Sequence, residues 1–417
     1  MIEYRKRTWT KSSWLIALCW LAYTCSYIGK LSYSANINQI EKVYGISHSE
    51  AGLVSTFFFF AYGAGQIVNG LLCKKYNVRY VVFGSLFIGG LANLVVAFAP
   101  TFSIVKYVWL VNGAAMSVLW SSMIRLLSES LDKKGVASAI LAMGTTVATG
   151  TFVVYGLSAL LVAVASYRIV FIIAGVLLPV VALTWVYFEP RLIPEKEESS
   201  EGENNVENVK KVQAETQKGF TGLWGMLGVL AFFGIADNLV KDGLTTWTPS
   251  ILDALYALPG WLSIFLTLLL PLLGIFGNVL ARRLDKVLKN SVAVCMLLFF
   301  GAGALIGLIL GLLSTNALVV TIVCFSLVTF FMSSVNSMIT SIVPFSLKER
   351  GNSGMVAGLL NAFCYLGSTI SSFGLGSVAE VWGWSAVFIL LLCVCGVMVL
   401  TGGIYLIVKK SKERKVK

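Results

Sequence analysis

The apolar positions of this 417-residue chain fall into long runs separated by short polar intervals. Runs of about 18 or more apolar residues read as helices that span a membrane. Twelve such spans are predicted, over 12–36, 51–73, 79–99, 103–128, 136–163, 166–188, 220–251, 258–281, 290–313, 317–344, 352–379 and 383–408. A helix satisfies each backbone group within its own segment, which lipid demands of any open-ended element. A barrel would need short alternating strands, and runs such as Leu262–Ile275 do not alternate. The one long polar interval, 189–218, holds eight Glu and five Lys or Arg among Asn, Ser and Gln, and it reads as a flexible linker. It separates an N-terminal bundle, 1–188, from a C-terminal one, 219–417.

Composition sharpens this picture. Hydrophobic residues make up 57% of the chain and charged ones only 12%, against roughly 25% charged in a soluble domain. The net charge of +12 could suggest nucleic acid, but its distribution excludes that partner. Alternate connections hold 27 Lys and Arg on one side and three, Lys42, Lys106 and Arg168, on the other. This is the positive-inside pattern, and it places both termini in the cytoplasm of a multi-pass inner-membrane protein. The polar start, Met1–Lys11, precedes a span too long for a signal-peptide core, so a retained signal anchor is expected. Membrane lipid is then the surrounding partner, and a monomer is expected. The eight cysteines lie in or beside apolar spans without metal-type spacing and read as packing residues. No phosphate-cradling loop, HExxH or nucleophile–base pair is present, so neither an enzyme nor a cofactor or metal site is expected.

The halves carry a weak internal repeat. Leu131-Asp-Lys-Lys-Gly135 recurs as Leu347-Lys-Glu-Arg-Gly351, and Tyr167-Arg-Ile-Val-Phe-Ile172 as Trp384-Ser-Ala-Val-Phe-Ile389. Gly70 before Lys74-Lys75 is echoed by Gly277 before Arg282-Arg283. These matches fall at equivalent points of a six-plus-six layout. The fold expected is therefore all-α, with twelve transmembrane helices in two pseudo-symmetric six-helix bundles, the major facilitator plan, whose substrate site lies between the halves near the midplane.

An ionisable residue inside a span costs at least about 2.5–3.5 kcal/mol on insertion scales and needs a reason. Lys30 stands in the first span; Asp237, Lys241 and Asp242 stand in the seventh. Lys30 precedes Glu41 by 11 residues and Lys241 precedes Asp253 by 12, so both lie about 16–18 Å from one end, near mid-bilayer. Two cations at matching places in the halves make an anion site. The spacing of Asp237 and Lys241, four residues apart, predicts an ion pair on one helix face, with proton coupling through Asp237 as the alternative. Tyr23, Tyr27 and Lys30 share a face of the first span. Tyr62 and Gln66 line the second, and Asn361 and Tyr365 line the eleventh. The same stripes also suit helix packing. His48, the one histidine, falls in a connection and cannot serve as a central proton carrier.

The segments Tyr27-Ile-Gly-Lys30-Leu-Ser-Tyr33-Ser and Leu239-Val-Lys241-Asp-Gly243-Leu-Thr-Thr-Trp247-Thr-Pro249 resemble the first and seventh helices of the organophosphate:phosphate antiporters, the glycerol-3-phosphate and hexose-phosphate transporters. Ala61-Tyr62-Gly63, Asn112-Gly113 with Trp120, and Tyr365-Leu-Gly367 match in place. The resemblance implies a secondary transporter that exchanges a phosphorylated metabolite for inorganic phosphate. Lys30 and Lys241 would hold the anionic group, and Tyr23, Tyr27, Tyr62, Trp120, Asn361 and Tyr365 would shape the cavity. The family carries arginine where this chain has its two lysines; Arg grips phosphate as a fork, Lys as a point charge. A proton-coupled carboxylate or sugar-acid transporter is thus an alternative, as are a sugar-phosphate sensor and a drug efflux protein.

Overall fold

A computed structural model describes residues 10–72, 75–193, 224–313, 315, 317–347 and 353–416. Most of the expected linker, 194–218, lies outside the described residues, as does 220–223 at the start of the seventh span.

In the first half, α1 (Lys11–Ala35) starts where the Thr10 hydroxyl accepts the Ser13 N–H at 3.3 Å, so a side chain satisfies an otherwise orphan amide. A short helix, α2 (Ile37–Tyr44), follows in place of the expected loop and ends on Gly45, whose φ of 62° favours glycine. Then come α3 (His48–Leu72) and α4 (Val78–Ala97), the latter capped by Asn77. The span expected over 103–128 is two helices, α5 (Phe102–Met116) and α6 (Leu119–Ser130). At their junction the Ser117 hydroxyl donates back to the Ala114 carbonyl at 2.7 Å, which bends a helix. Asp132 caps α7 (Lys133–Val164), and α8 (Arg168–Leu192) runs four residues past the expected boundary at 188.

In the second half, α9 (Trp224–Tyr256) holds all the ionisable residues of the seventh span. The eighth pass is broken into α10 (Gly260–Thr267), α11 (Leu269–Gly274) and α12 (Gly277–Leu288). Pro271 has no N–H for the Thr267 carbonyl, which explains the first break. Asn290 caps α13 (Ser291–Leu312). After α14 (Leu318–Ser337) the chain widens into a π segment, Met338–Ile342, before α15 (Val343–Ser346). Pro344, lacking an N–H, sits at this change of pitch. Finally α16 (Ser353–Val416) contains two passes, divided at Gly383, whose φ of 75° and ψ of 173° are open to glycine.

Ten described helical stretches are long and apolar enough to cross a membrane. One, Val356–Ser411, holds the two passes divided at Gly383. The 33-residue α9 adds a further pass, its apolar character diluted by Asp237, Lys241, Asp242 and Asp253. Among the described residues the architecture is therefore all-α and consistent with twelve passes in two six-helix bundles. In the first, α1 packs along α7 and α4 along α8. A Cβ at Gly90 would stand 2.3 Å from Pro179 Cδ, so that close approach requires glycine.

Candidate functional site

The Gly29 carbonyl of α1 accepts from Asn93 Nδ2 of α4 at 3.1 Å and from Asn112 Nδ2 of α5 at 3.0 Å. Ser32 Oγ donates to Asn93 Oδ1 at 2.8 Å. Three helices are thus pinned together within two residues of Lys30, in a low-dielectric interior where hydrogen bonds hold geometry firmly. Lys30 itself is 5% exposed. Its Nζ lies 4.5 Å from the ring centroid of Tyr23, 4.8 Å from that of Tyr27 and 5.4 Å from that of Tyr62. Among the described residues it makes no hydrogen bond and no ion pair. Trp120 does not touch the ammonium. It tilts against Tyr23, with centroids 5.0 Å apart, and holds that ring in place.

The second cation is bound differently. Lys241 Nζ donates to Asn238 Oδ1 at 3.1 Å and lies 3.7 Å from Asp242 Oδ1. The expected partner, Asp237, is fully buried, and among the described residues neither of its oxygens has a hydrogen-bond partner. The close ion pair of Lys241 is with Asp242, one residue on, while Asp237 stands one turn back. Helical side chains lean toward the preceding turn, which brings Lys241 onto Asn238, while the Asp237 carboxylate is turned into the bundle. Asn238 Oδ1 also accepts from Asn336 at 3.1 Å, and Asn238 Nδ2 donates to Ser368 Oγ at 3.0 Å. Ser368 in turn donates to Asp242 Oδ2 at 2.5 Å. Of this hub, Ser368 stands on the polar face of the eleventh span with Asn361 and Tyr365, while Asn238 and Asn336 escaped the sequence reading. The one signal was Asn238 standing three and four residues before Lys241 and Asp242, a shared helix face.

The clusters meet across the halves. The Tyr62 and Tyr365 ring centroids are 4.8 Å apart, and Asn361 Nδ2 donates to Gln66 Oε1 at 2.5 Å. From there α3 and α16 run together to the end opposite the chain termini. Thr56 Oγ1 donates to the Thr369 carbonyl at 2.9 Å and Ser49 Oγ to Glu380 Oε2 at 2.5 Å. At that end Glu41 Oε1 pairs with His48 Nδ1 at 2.9 Å, and Glu41 Oε2 accepts from Ser250 Oγ at 3.3 Å. The His48 ring stands against Trp247 and Trp384, and Lys42 pairs with Asp253 at 2.8 Å. His48 thus opens α3 inside an interface rather than lying in a loop. Nearer the termini than Gln66, no hydrogen bond or ring contact joins α3 to α16 among the described residues. The halves are latched at one end.

Residues 19–372 match the profile of the Major Facilitator Superfamily. The chain belongs to the Major Facilitator Superfamily. As a member it is a non-enzymatic, multi-pass membrane protein with the fold of alternating-access transporters. The Escherichia coli (strain K12) membrane sensor protein UhpC is 22% identical to it, over 96% of this chain and 92% of that protein. A probable hexose phosphate transport protein of Chlamydia pneumoniae is 22% identical, over 91% of this chain and 88% of that protein. A solved bacterial homologue of the human lysosomal transporter Spinster, in an inward-facing and occupied conformation, superposes with a TM-score of 0.73. It is 13% identical, over 95% of this chain and 97% of that one, and shows the superfamily fold. The resemblance to the organophosphate:phosphate antiporters read from the sequence accords with the sensor and hexose phosphate transport proteins among these relatives.

Proposed function

We propose that this superfamily member moves a small organic anion by alternating access, a phosphorylated metabolite exchanged for inorganic phosphate. The observation that carries the reading is Lys30, a buried ammonium under three tyrosine rings with no anionic partner among the described residues. A charge kept unpaired in the middle of a membrane protein is maintained for a ligand. Lys30 binds the anionic group, and Lys241 orients it from the facing half. Tyr23, Tyr27, Tyr62, Trp120, Asn361 and Tyr365 shape the space between, and Asp237 is held in reserve behind Lys241. The bundles 1–188 and 219–417, joined by 189–218, are the bodies that rock. Both termini lie in the cytoplasm of a monomer in the inner membrane, so the latched end faces outward. Similarity to a hexose phosphate transport protein supports the substrate class.

The test is exchange in proteoliposomes loaded with phosphate and given labelled glucose 6-phosphate outside. Uptake that needs internal phosphate and is lost in Lys30→Ala and in Lys241→Ala is expected. Near-normal uptake by the double variant would sink the two-cation site. A second reading, a sensor, is favoured by the similarity to a membrane sensor protein; it would show as binding without exchange.

A further inference from the structure

The two central lysines are not equivalent. Lys241 is compensated, with Asp242 at 3.7 Å, and that carboxylate is itself fixed by Ser368 at 2.5 Å. Both side chains of the pair are about one-fifth exposed, 20% and 21%. The Asp237 carboxylate and the Lys30 ammonium are both buried. Lys30 has no carboxylate partner among the described residues. A ligand arriving between the halves therefore meets one compensated ion pair and one uncompensated cation.

We infer that Asp242 sets the charge of the ligand: by pairing off Lys241 it leaves a site for a singly charged oxyanion group, such as a sulfonate or the monoanion of a phosphate monoester, and disfavours the dianion. The inference rests on the anion-transport reading above. The physical reason is that a second negative charge gains no further free cation and shares the site of Lys241 with the Asp242 carboxylate, where like charges repel. Asp242 is here a specificity-determining residue, and it does not hold the ligand itself.

The test uses full-length protein in lipid nanodiscs and two anionic probes built on the same sugar. One is glucose 6-phosphate, whose monoanion fraction falls roughly 25-fold between about pH 5.5 and about pH 7.5 for a second pKa near 6. The other, 6-deoxy-6-sulfoglucose, carries one negative charge throughout and reports any titration of the protein's own groups near the site, Asp237, Lys241, Tyr27, Tyr155 and Tyr365 included. For the unaltered protein, glucose 6-phosphate affinity is expected to fall by about that factor over this interval while sulfonate affinity stays flat. In Asp242→Asn the pH dependence should flatten, because the dianion gains about tenfold or more in affinity when a neighbouring like charge is removed. Ser368→Ala keeps the Asp242 charge and removes its hydrogen bond, so it should retain the pH dependence; this separates charge from local structure. Equal affinity for glucose 6-phosphate at both pH values, with the sulfonate also bound, would overturn this inference alone. An unchanged pH dependence in Asp242→Asn would do the same. Failure of both probes to bind at either pH would overturn the anion reading and this inference with it.

Discussion

Replacing Lys30 by methionine separates a ligand-binding cation from a structural one. Methionine keeps most of the side-chain volume and removes the charge. In the ligand-free protein two terms oppose each other. A buried charged donor without a hydrogen-bond partner costs about 1–3 kcal/mol or more. Three ring faces at 4.5, 4.8 and 5.4 Å return about 0.5–2 kcal/mol each at desolvated sites. The terms are of similar size, so Lys30→Met should change ligand-free stability by less than about 2 kcal/mol. Ligand binding behaves otherwise. Removing one partner of a buried charge interaction costs about 3–5 kcal/mol, more than a hundredfold in affinity. A ligand present at about 100 times its Kd stabilises the folded state by about 2.7 kcal/mol, and after a hundredfold loss of affinity by only about 0.4 kcal/mol. Thermal melts with and without glucose 6-phosphate measure both quantities. The expected result is a near-normal melt and an almost vanished ligand shift. A ligand-free protein destabilised by more than about 3 kcal/mol would show that Lys30 is a structural residue, and a retained shift would show that it does not bind the anion.

Glu41→Ala removes the carboxylate that joins His48 to Ser250 across the halves. It should weaken the latch by about 1–3 kcal/mol, seen as a broader distance distribution between spin labels at Val43 and Ala254; an unchanged distribution would remove Glu41 from the latch. Gly52→Ala places a Cβ 2.2 Å from the Ser372 carbonyl oxygen, so it should bias the protein away from the latched state and slow exchange several-fold, whereas a wild-type rate would show that α3 and α16 do not close this tightly during transport. Asp237→Asn replaces a buried carboxylate that has no hydrogen-bond partner, and both melting and exchange should stay close to normal; a substrate-driven pH change in proteoliposomes that vanishes in this variant would assign proton coupling to Asp237 instead. In a cysteine-free background, a cysteine at position 43 should react with an impermeant maleimide from outside and one at position 201 only from inside, and the reverse pattern would invert the orientation.

Much of the architecture was legible in the chain because lipid leaves few solutions. Long apolar runs can only be helices there, and the repeat at matching points of the halves follows from covalent order alone. The same logic exposed Lys30, since a charge within an apolar run stands out whatever its neighbours. The breaks at Ser117 and Leu268 and the π segment before Pro344 needed the structure, because a bend within an apolar run does not alter its hydropathy. What the chain could not specify was partner choice. Helical spacing allows Lys241 to meet Asp237 as readily as any residue one turn away. Only packing turned Asp237 inward and brought Ser368 and Asn336 from other helices to orient Asp242 and Asn238. Likewise Glu41, Lys42 and His48 read as loop residues, and their meeting with Ser250, Asp253, Trp247 and Trp384 is a contact over some two hundred residues or more. Local periodicity reports which face of a helix is apolar, whereas which polar groups share a bond depends on how separate helices are brought together, and that is decided only when the bundles pack.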